Sequence, residues 1–245
     1  MRICSISDVH LTIKNKSEVD LFIKFLSHNI VNEADIILLL GDIFDVMIGS
    51  HGQYYADFYD VFEKMRELLS SGHGLYVFEG NHDFNLEKFY ESIGFRKFDN
   101  FKILKGPEEI EFQNLRILAA HGDERDQGLA HSLFKKTLNS KIINFATNKL
   151  LSYKVINGVG EYLSAKSRNY IWSKEVEILT RQRFRKIAES YAKIYDYNFF
   201  LCGHSHIQDN YLFDENRIYL NNGFFPQSRE FIVVDQDGYR FVKLD

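Results

Sequence analysis

The string Gly80-Asn81-His82-Asp83 comes just after the apolar run Leu75–Phe78, where a buried strand would release the chain into a loop. The arrangement recurs. Arg2–Ser7 ends at Asp8-Val9-His10, and Ile36–Leu40 ends at Gly41-Asp42-Ile43-Phe44-Asp45. Helical patterns separate the three runs. Leu21, Phe22, Phe25, Leu26 and Ile30 recur at three- and four-residue spacing within Val19–Ile30, and Tyr54–Leu69 is a second amphipathic stretch, stopped near Gly72 and Gly74. Such strand–helix units predict an α/β fold. Their loops lie outside the carboxyl ends of the strands, the usual position for a site in an open sheet.

Beyond Phe89 the pattern changes. Phe101–Leu104, Glu108–Phe112 and Leu115–Ala120 read as short strands, with Gln113-Asn114 as a tight turn, and the last of them delivers His121-Gly122-Asp123. Leu129 to Ile194 reads as helix throughout. Asn198–Cys202 returns to a strand and delivers Gly203-His204-Ser205-His206. Two hairpins finish the chain, Asp209–Phe213 with Ile218–Leu220 and Phe231–Val234 with Tyr239–Leu244. The expected organisation is one domain over residues 1–245, an α/β body carrying an inserted helical cap from about Leu129 to about Tyr195.

Composition narrows the setting. A 45% hydrophobic content is ordinary for a chain able to bury a core, and no run of about 18 apolar residues is present. The N-terminal run meets Asp8 too early for a signal peptide, and two cysteines, Cys4 and Cys202, make no disulfide framework, so a cytoplasmic location is expected. Net charge is −4, but His131 to Lys193 carries nine Lys and four Arg against four Glu. A basic segment on an acidic body points to an anionic partner. Nucleic acid is not expected, because duplex binding needs a broad basic face rather than one basic insert.

A lone Asp-x-His or His-x-His is usually incidental. Here Asp8, His10, Asp42, Asn81, His121, His204 and His206 form a nitrogen and oxygen set without thiolate, placed at the ends of runs that read as buried. Such a set suits borderline divalent ions: manganese is expected, with iron or zinc sharing the same ligands. Seven ligands suit two ions sharing a bridging carboxylate, and two ions roughly 3.5–4 Å apart clamp a phosphoryl group. In this arrangement Asp8, His10 and His206 hold one ion, Asn81, His121 and His204 the other, and Asp42 bridges. His82 is then free to give a proton to the leaving oxygen, with Asp45 or Asp83 available to orient its ring.

The ordered set Asp8-x-His10, Gly41-Asp42-x-x-Asp45, Gly80-Asn81-His82-Asp83, His121-Gly122-Asp123 and Gly203-His204-x-His206 resembles the calcineurin-like metallophosphoesterases. The resemblance implies a four-layer β-sandwich core flanked by helices, a dinuclear centre and the ligand roles just given. Asp8-Val9-His10-Leu11 and the Ser-Leu-Phe-Lys-Lys string of the insert are also similar to bacterial UDP-2,3-diacylglucosamine pyrophosphatases. That narrower resemblance implies hydrolysis of an anionic nucleotide-lipid to UMP and a lipid monophosphate in lipid A synthesis, at the cytoplasmic face of the inner membrane, with the insert sheltering acyl chains. It places Asp126, Ser167 and Lys174 among the substrate contacts, beside Asn81, His82 and His204. One residue departs from it: members of that group carry Arg where this chain has His82.

Overall fold

The structure, a computed structural model, describes residues 1–112, 115–125, 152–158, 160 and 173–244. The expected turn at Gln113-Asn114, the candidate contacts Asp126 and Ser167, and most of the expected cap lie outside the described residues.

Two sheets form the centre. The first is ordered from β13 (Gly238–Lys243) through β12 (Glu230–Asp235), β1 (Ile3–Ile6), β2 (Ile36–Leu39) and β4 (Gly74–Phe78) to β6 (Phe101–Leu104). From β1 to β6 the strands are parallel, as the strand–helix alternation requires, while β12 and β13 join antiparallel. The second sheet runs from β10 (Gln208–Leu212) through β11 (Ile218–Asn222), β9 (Phe199–Cys202) and β8 (Leu115–Ala120) to β7 (Glu108–Phe112). The closing runs therefore do more than form hairpins: β12 completes the first sheet beside β1, and β11 lies parallel to β9 in the second.

The sheets pack face to face. Leu38, Leu40, Phe78, Ile232 and Val234 of the first meet Ile117, Ala119, Leu201 and Leu220 of the second. Side chains alternate along a strand, so Ile37 and Leu39 point the opposite way. They bury against α1 (Lys16–Leu26), α4 (Tyr59–Ser70) and α5 (Glu87–Ser92), through Phe22, Phe25, Phe62, Met65 and Phe89. On the far side, α6 (Lys174–Tyr191) lays Phe184, Ile187, Ala188 and Tyr191 on Leu118, Ala120, Phe200 and Tyr219 of the second sheet. The order of layers is helix, sheet, sheet, helix, the four layers that the resemblance implies.

The expected cap reaches about Tyr195, but α6 belongs to the outer layer of the body. Its stripe at 184, 187, 188 and 191 has the three- and four-residue spacing that covers a sheet face. The described helical stretch at 153–158 also rests on the body: the Tyr153 ring lies 5.1 Å from that of Tyr54, and its hydroxyl bonds Asp57. The helix expected over Val19–Ile30 is α1 followed by α2 (Asn29–Asn32), because the His28 ring accepts the Ile30 N–H at 3.2 Å and starts a new turn. The stretch expected over Tyr54–Leu69 likewise divides at Phe58 into α3 (Gln53–Asp57) and α4. A two-strand parallel pair, β3 (Met47–Ile48) with β5 (Asp83–Phe84), is too short to leave a periodic signal. Among the described residues no helix is long and apolar enough to cross a membrane.

Candidate metal centre

The carboxyl ends of β1, β2, β4, β8 and β9 meet at one end of the sandwich, and the five Asp/His strings converge there. The loop after β1 is tied to the loop after β2 along its length: Asp8 N–H bonds Gly41 O at 3.2 Å, Val9 and His10 N–H both bond Asp42 O at 3.0 Å, and Leu11 N–H bonds Ile43 O at 2.9 Å. That pairing bends the backbone. Among the described residues, five of the seven non-glycine residues with positive φ are Asp8, His10, Asp42, His204 and His206. Left-handed backbone at a non-glycine residue costs of order 1–3 kcal/mol, and it concentrates where geometry serves function.

Two groups of donor atoms share Asp42. Asp8, His10, Asp42 and His206 form one, with ligand atoms within 4.8 Å of one another, and Asp42, His121 and His204 form the other. Asp42 Oδ2 lies 3.9 Å from His10 Nε2 and 3.5 Å from His121 Nε2. His206 Nε2 stands 3.3 Å from Asp8 Oδ1 and 3.3 Å from His10 Nε2, while Asn81 Oδ1 stands 3.2 Å from His121 Nε2. All seven ligands expected from the sequence are thus brought together.

The tautomers follow from the partners. A carbonyl oxygen can only accept, so His121 donates Nδ1–H to Leu40 O at 2.8 Å, and Nε2, which faces Asp42 and Asn81, is the atom that would hold an ion. His82 likewise donates Nδ1–H to Asp45 O at 2.8 Å. Of the two residues available to orient His82, Asp45 does so, through its main chain. Its carboxylate faces His10 Nδ1 at 3.3 Å. Asp83 plays another part, one that no spacing announces. Its buried carboxylate accepts N–H bonds from Asp42, Ile43, Phe44 and Gly80 at 2.7–3.2 Å, clamping the loop of Asp42 to the loop of Asn81. Phe224, stacked on His206 at 5.2 Å, is a second neighbour that the sequence did not reveal.

The electrostatics fit cations. Burial alone would push the Asp42 carboxyl up, yet His121, His82 and His10 hold it well below its ordinary value. Burial would push His121 down, and Asp42 instead raises it well above the ordinary imidazole value. Burial and the charge of Asp42 push Asp83 up to about 8, against the N–H bonds that favour its carboxylate. Buried carboxylates thus recruit positive charge onto the His121 and His206 rings, the charge that divalent ions would supply in their place, while burial holds His10 below its ordinary value. The nearby thiol of Cys202 donates to His121 O and is pushed up by burial, so the donor set stays nitrogen and oxygen. Lys174 is not part of this cluster. It is exposed at the start of α6, ten residues or about 15 Å along the helix from Phe184, whose ring lies 6.1 Å from that of His204.

Comparison with known proteins places the chain among phosphoesterases by its family profile. The family profile described as calcineurin-like phosphoesterase matches residues 1–208. A protein of Histophilus somni (strain 2336) named UDP-2,3-diacylglucosamine hydrolase is 23% identical over 239 residues, 97% of each chain. The similarly named protein of Haemophilus influenzae (strain PittGG) is 27% identical over 82% of this chain and 81% of its own. Among solved structures, one described as a novel archaeal phosphodiesterase covers 100% of both chains with a TM-score of 0.48 at 12% identity.

Proposed function

This chain belongs to the calcineurin-like phosphoesterases, and we propose that it cleaves the pyrophosphate of UDP-2,3-diacylglucosamine, giving UMP and a lipid monophosphate. The reading rests above all on Asp42, whose one carboxylate belongs to both donor groups. A bridging carboxylate is what a two-ion hydrolase needs at its centre. The substrate is supported by relatives of that name aligned over nearly the whole chain at 23% identity.

In this reading Asp8, His10 and His206 hold one divalent ion, Asn81, His121 and His204 the other, and Asp42 lies between them. Manganese fits the donors, as do iron and zinc. The chemistry that the ions supply when bound is neutralisation of phosphoryl charge and activation of water. The chain's own residues do the rest. Asp45 fixes two rings at once, His10 through its carboxylate and His82 through its carbonyl. His82, half-buried and held at Nδ1 by that carbonyl, carries the proton to the leaving oxygen. Ser167 and the exposed Lys174 would meet the substrate from the basic segment, Asp126 from just before it, and Asn81, His82 and His204 from the body. A nucleotide-lipid drawn from the cytoplasmic face of the inner membrane suits a chain that joins lysines to apolar helical stripes.

Incubation with manganese and the diacylated UDP-sugar should release UMP. Failure to do so, with brisk hydrolysis of a small chromogenic diester, would favour a second reading. In that reading the chain acts on another phosphodiester or pyrophosphate, and His82 standing where that group carries Arg supports it.

A further inference from the structure

The centre draws its ligands from both sheets. Asp8, His10, Asp42 and Asn81 follow strands of the first sheet, and His121, His204 and His206 follow strands of the second. Its geometry therefore depends on how the two sheets are fixed to one another at this end. Side-chain alternation puts Ile3 of β1 on the inner face, and with it Ser5 and Ser7. It puts Leu220 of β11 on the facing side, and with it Asn222. Ser7 and Asn222 meet across the sandwich, fully buried, 215 residues apart in sequence.

The Asn222 amide has only one orientation. Its Nδ2 donates to Ser7 O at 3.2 Å and to Gly223 O at 2.9 Å, and its Oδ1 accepts from Ser7 N–H at 3.0 Å. A flipped amide would set donor against donor. The Ser7 hydroxyl then has two acceptors in reach, Asn222 Oδ1 at 2.9 Å and Asp8 Oδ2 at 2.5 Å, and a single proton to give. The charged acceptor wins, since hydrogen bonds to a carboxylate are roughly twice as strong. Gly203 permits the approach: a Cβ there would stand 2.7 Å from Ser7 Cβ and 2.9 Å from Asp8 Oδ2. The His204 N–H bonds both Asp8 oxygens, Oδ1 at 3.1 Å and Oδ2 at 3.0 Å, so the Ser7 hydroxyl is the contact that distinguishes them: Oδ2 is turned back into the sandwich, and Oδ1 is left facing His206 Nε2 at 3.3 Å.

We propose that Ser7 and Asn222 are positioning residues that pin the two sheets together and select which oxygen of Asp8 faces the ion held with His10 and His206. The proposal rests on the two-ion reading above and concerns neither substrate nor proton transfer.

The test is manganese uptake by metal-free protein, followed by calorimetry and by electron paramagnetic resonance of the bound ions. Ser7→Ala should weaken one of the two ions by about 10- to 100-fold, the range for lost outer hydrogen bonds to a ligand. The signal of the spin-coupled pair should give way to that of a single ion at ion levels that saturate the parent protein. Ser5→Ala is the control, because Ser5 is buried two residues earlier on the same strand and its hydroxyl has no hydrogen-bond partner among the described residues. It should leave both ions unchanged. Should Ser7→Ala lose its fold, Ser7→Cys keeps the volume with a weaker donor and should show a smaller loss of the same kind. Parent affinity for both ions in a folded Ser7 variant overturns the positioning role and leaves the two-ion centre standing. A parent protein that takes up no manganese overturns both.

Discussion

In the proposed mechanism His82 would keep proton transfer separate from ion holding. It sits beside Asn81 and outside both donor groups built on Asp42; it clusters instead with His10 and Asp45, and its ring is held by the Asp45 main-chain carbonyl. His82→Ala is therefore expected to lower kcat by about 10²- to 10⁴-fold, the usual contribution of a general acid, with ion uptake unchanged. The loss should shrink on a substrate whose leaving group needs no proton, such as a nitrophenyl ester. Steady-state kinetics on a good and a poor leaving group would check this, and equal losses on both would remove His82 from the acid's role.

Between neighbouring elements, the loops after β2 and β4 are built as one piece. Asp83 ties them, and Gly80 lets them touch: a Cβ at Gly80 would stand 2.2 Å from Asp42 Oδ1 and 2.6 Å from Asp42 N. Neither atom can move away, since Asp42 N–H is bonded to Asp83 and Asp42 Oδ1 accepts from His82 N–H at 2.8 Å. Gly80→Ala should cost about 1–3 kcal/mol, as overpacking of a fixed site does, and should weaken both ions together because Asp42 serves both groups. Denaturant unfolding and ion titration on the same variant would show it. Weakening of only one ion would contradict the shared role of Asp42.

At the scale of the whole molecule, ions that bind only the folded chain add to its stability. Chelation should lower the melting temperature, and manganese at about 100 times its dissociation constant should restore about 2.7 kcal/mol for each ion bound. A melting curve indifferent to chelator would count against a resident metal centre. Far from the centre, Asp235 sets an acid limit. Burial alone would raise its carboxyl, but Arg240, bonded at 2.8 Å, together with the Asp237 N–H and the charge of Arg2, holds it below the ordinary value. A carboxyl lowered on folding adds stability above its unfolded pKa of about 3.9, and that stability is lost as pH falls through the folded value. Asp235→Asn should therefore be less stable than the parent at neutral pH and should show a shallower decline in acid. Urea unfolding between pH 7 and pH 3 would resolve the two slopes.

The sequence by itself determined the parallel strand–helix units, the residues that close each strand in Asp or His, and the seven Asp, Asn and His side chains that come together at one end, because alternation and apolar runs are local properties written into neighbouring residues. Tertiary structure alone decided that α6 lines the body, that Asp45 orients His82 through a carbonyl, and that Asp83 and Asn222 hold loops from afar. Those facts depend on main-chain atoms that every residue carries alike and on contacts between distant segments such as Ser7 and Asn222, and neither leaves a periodic trace in the order of side chains.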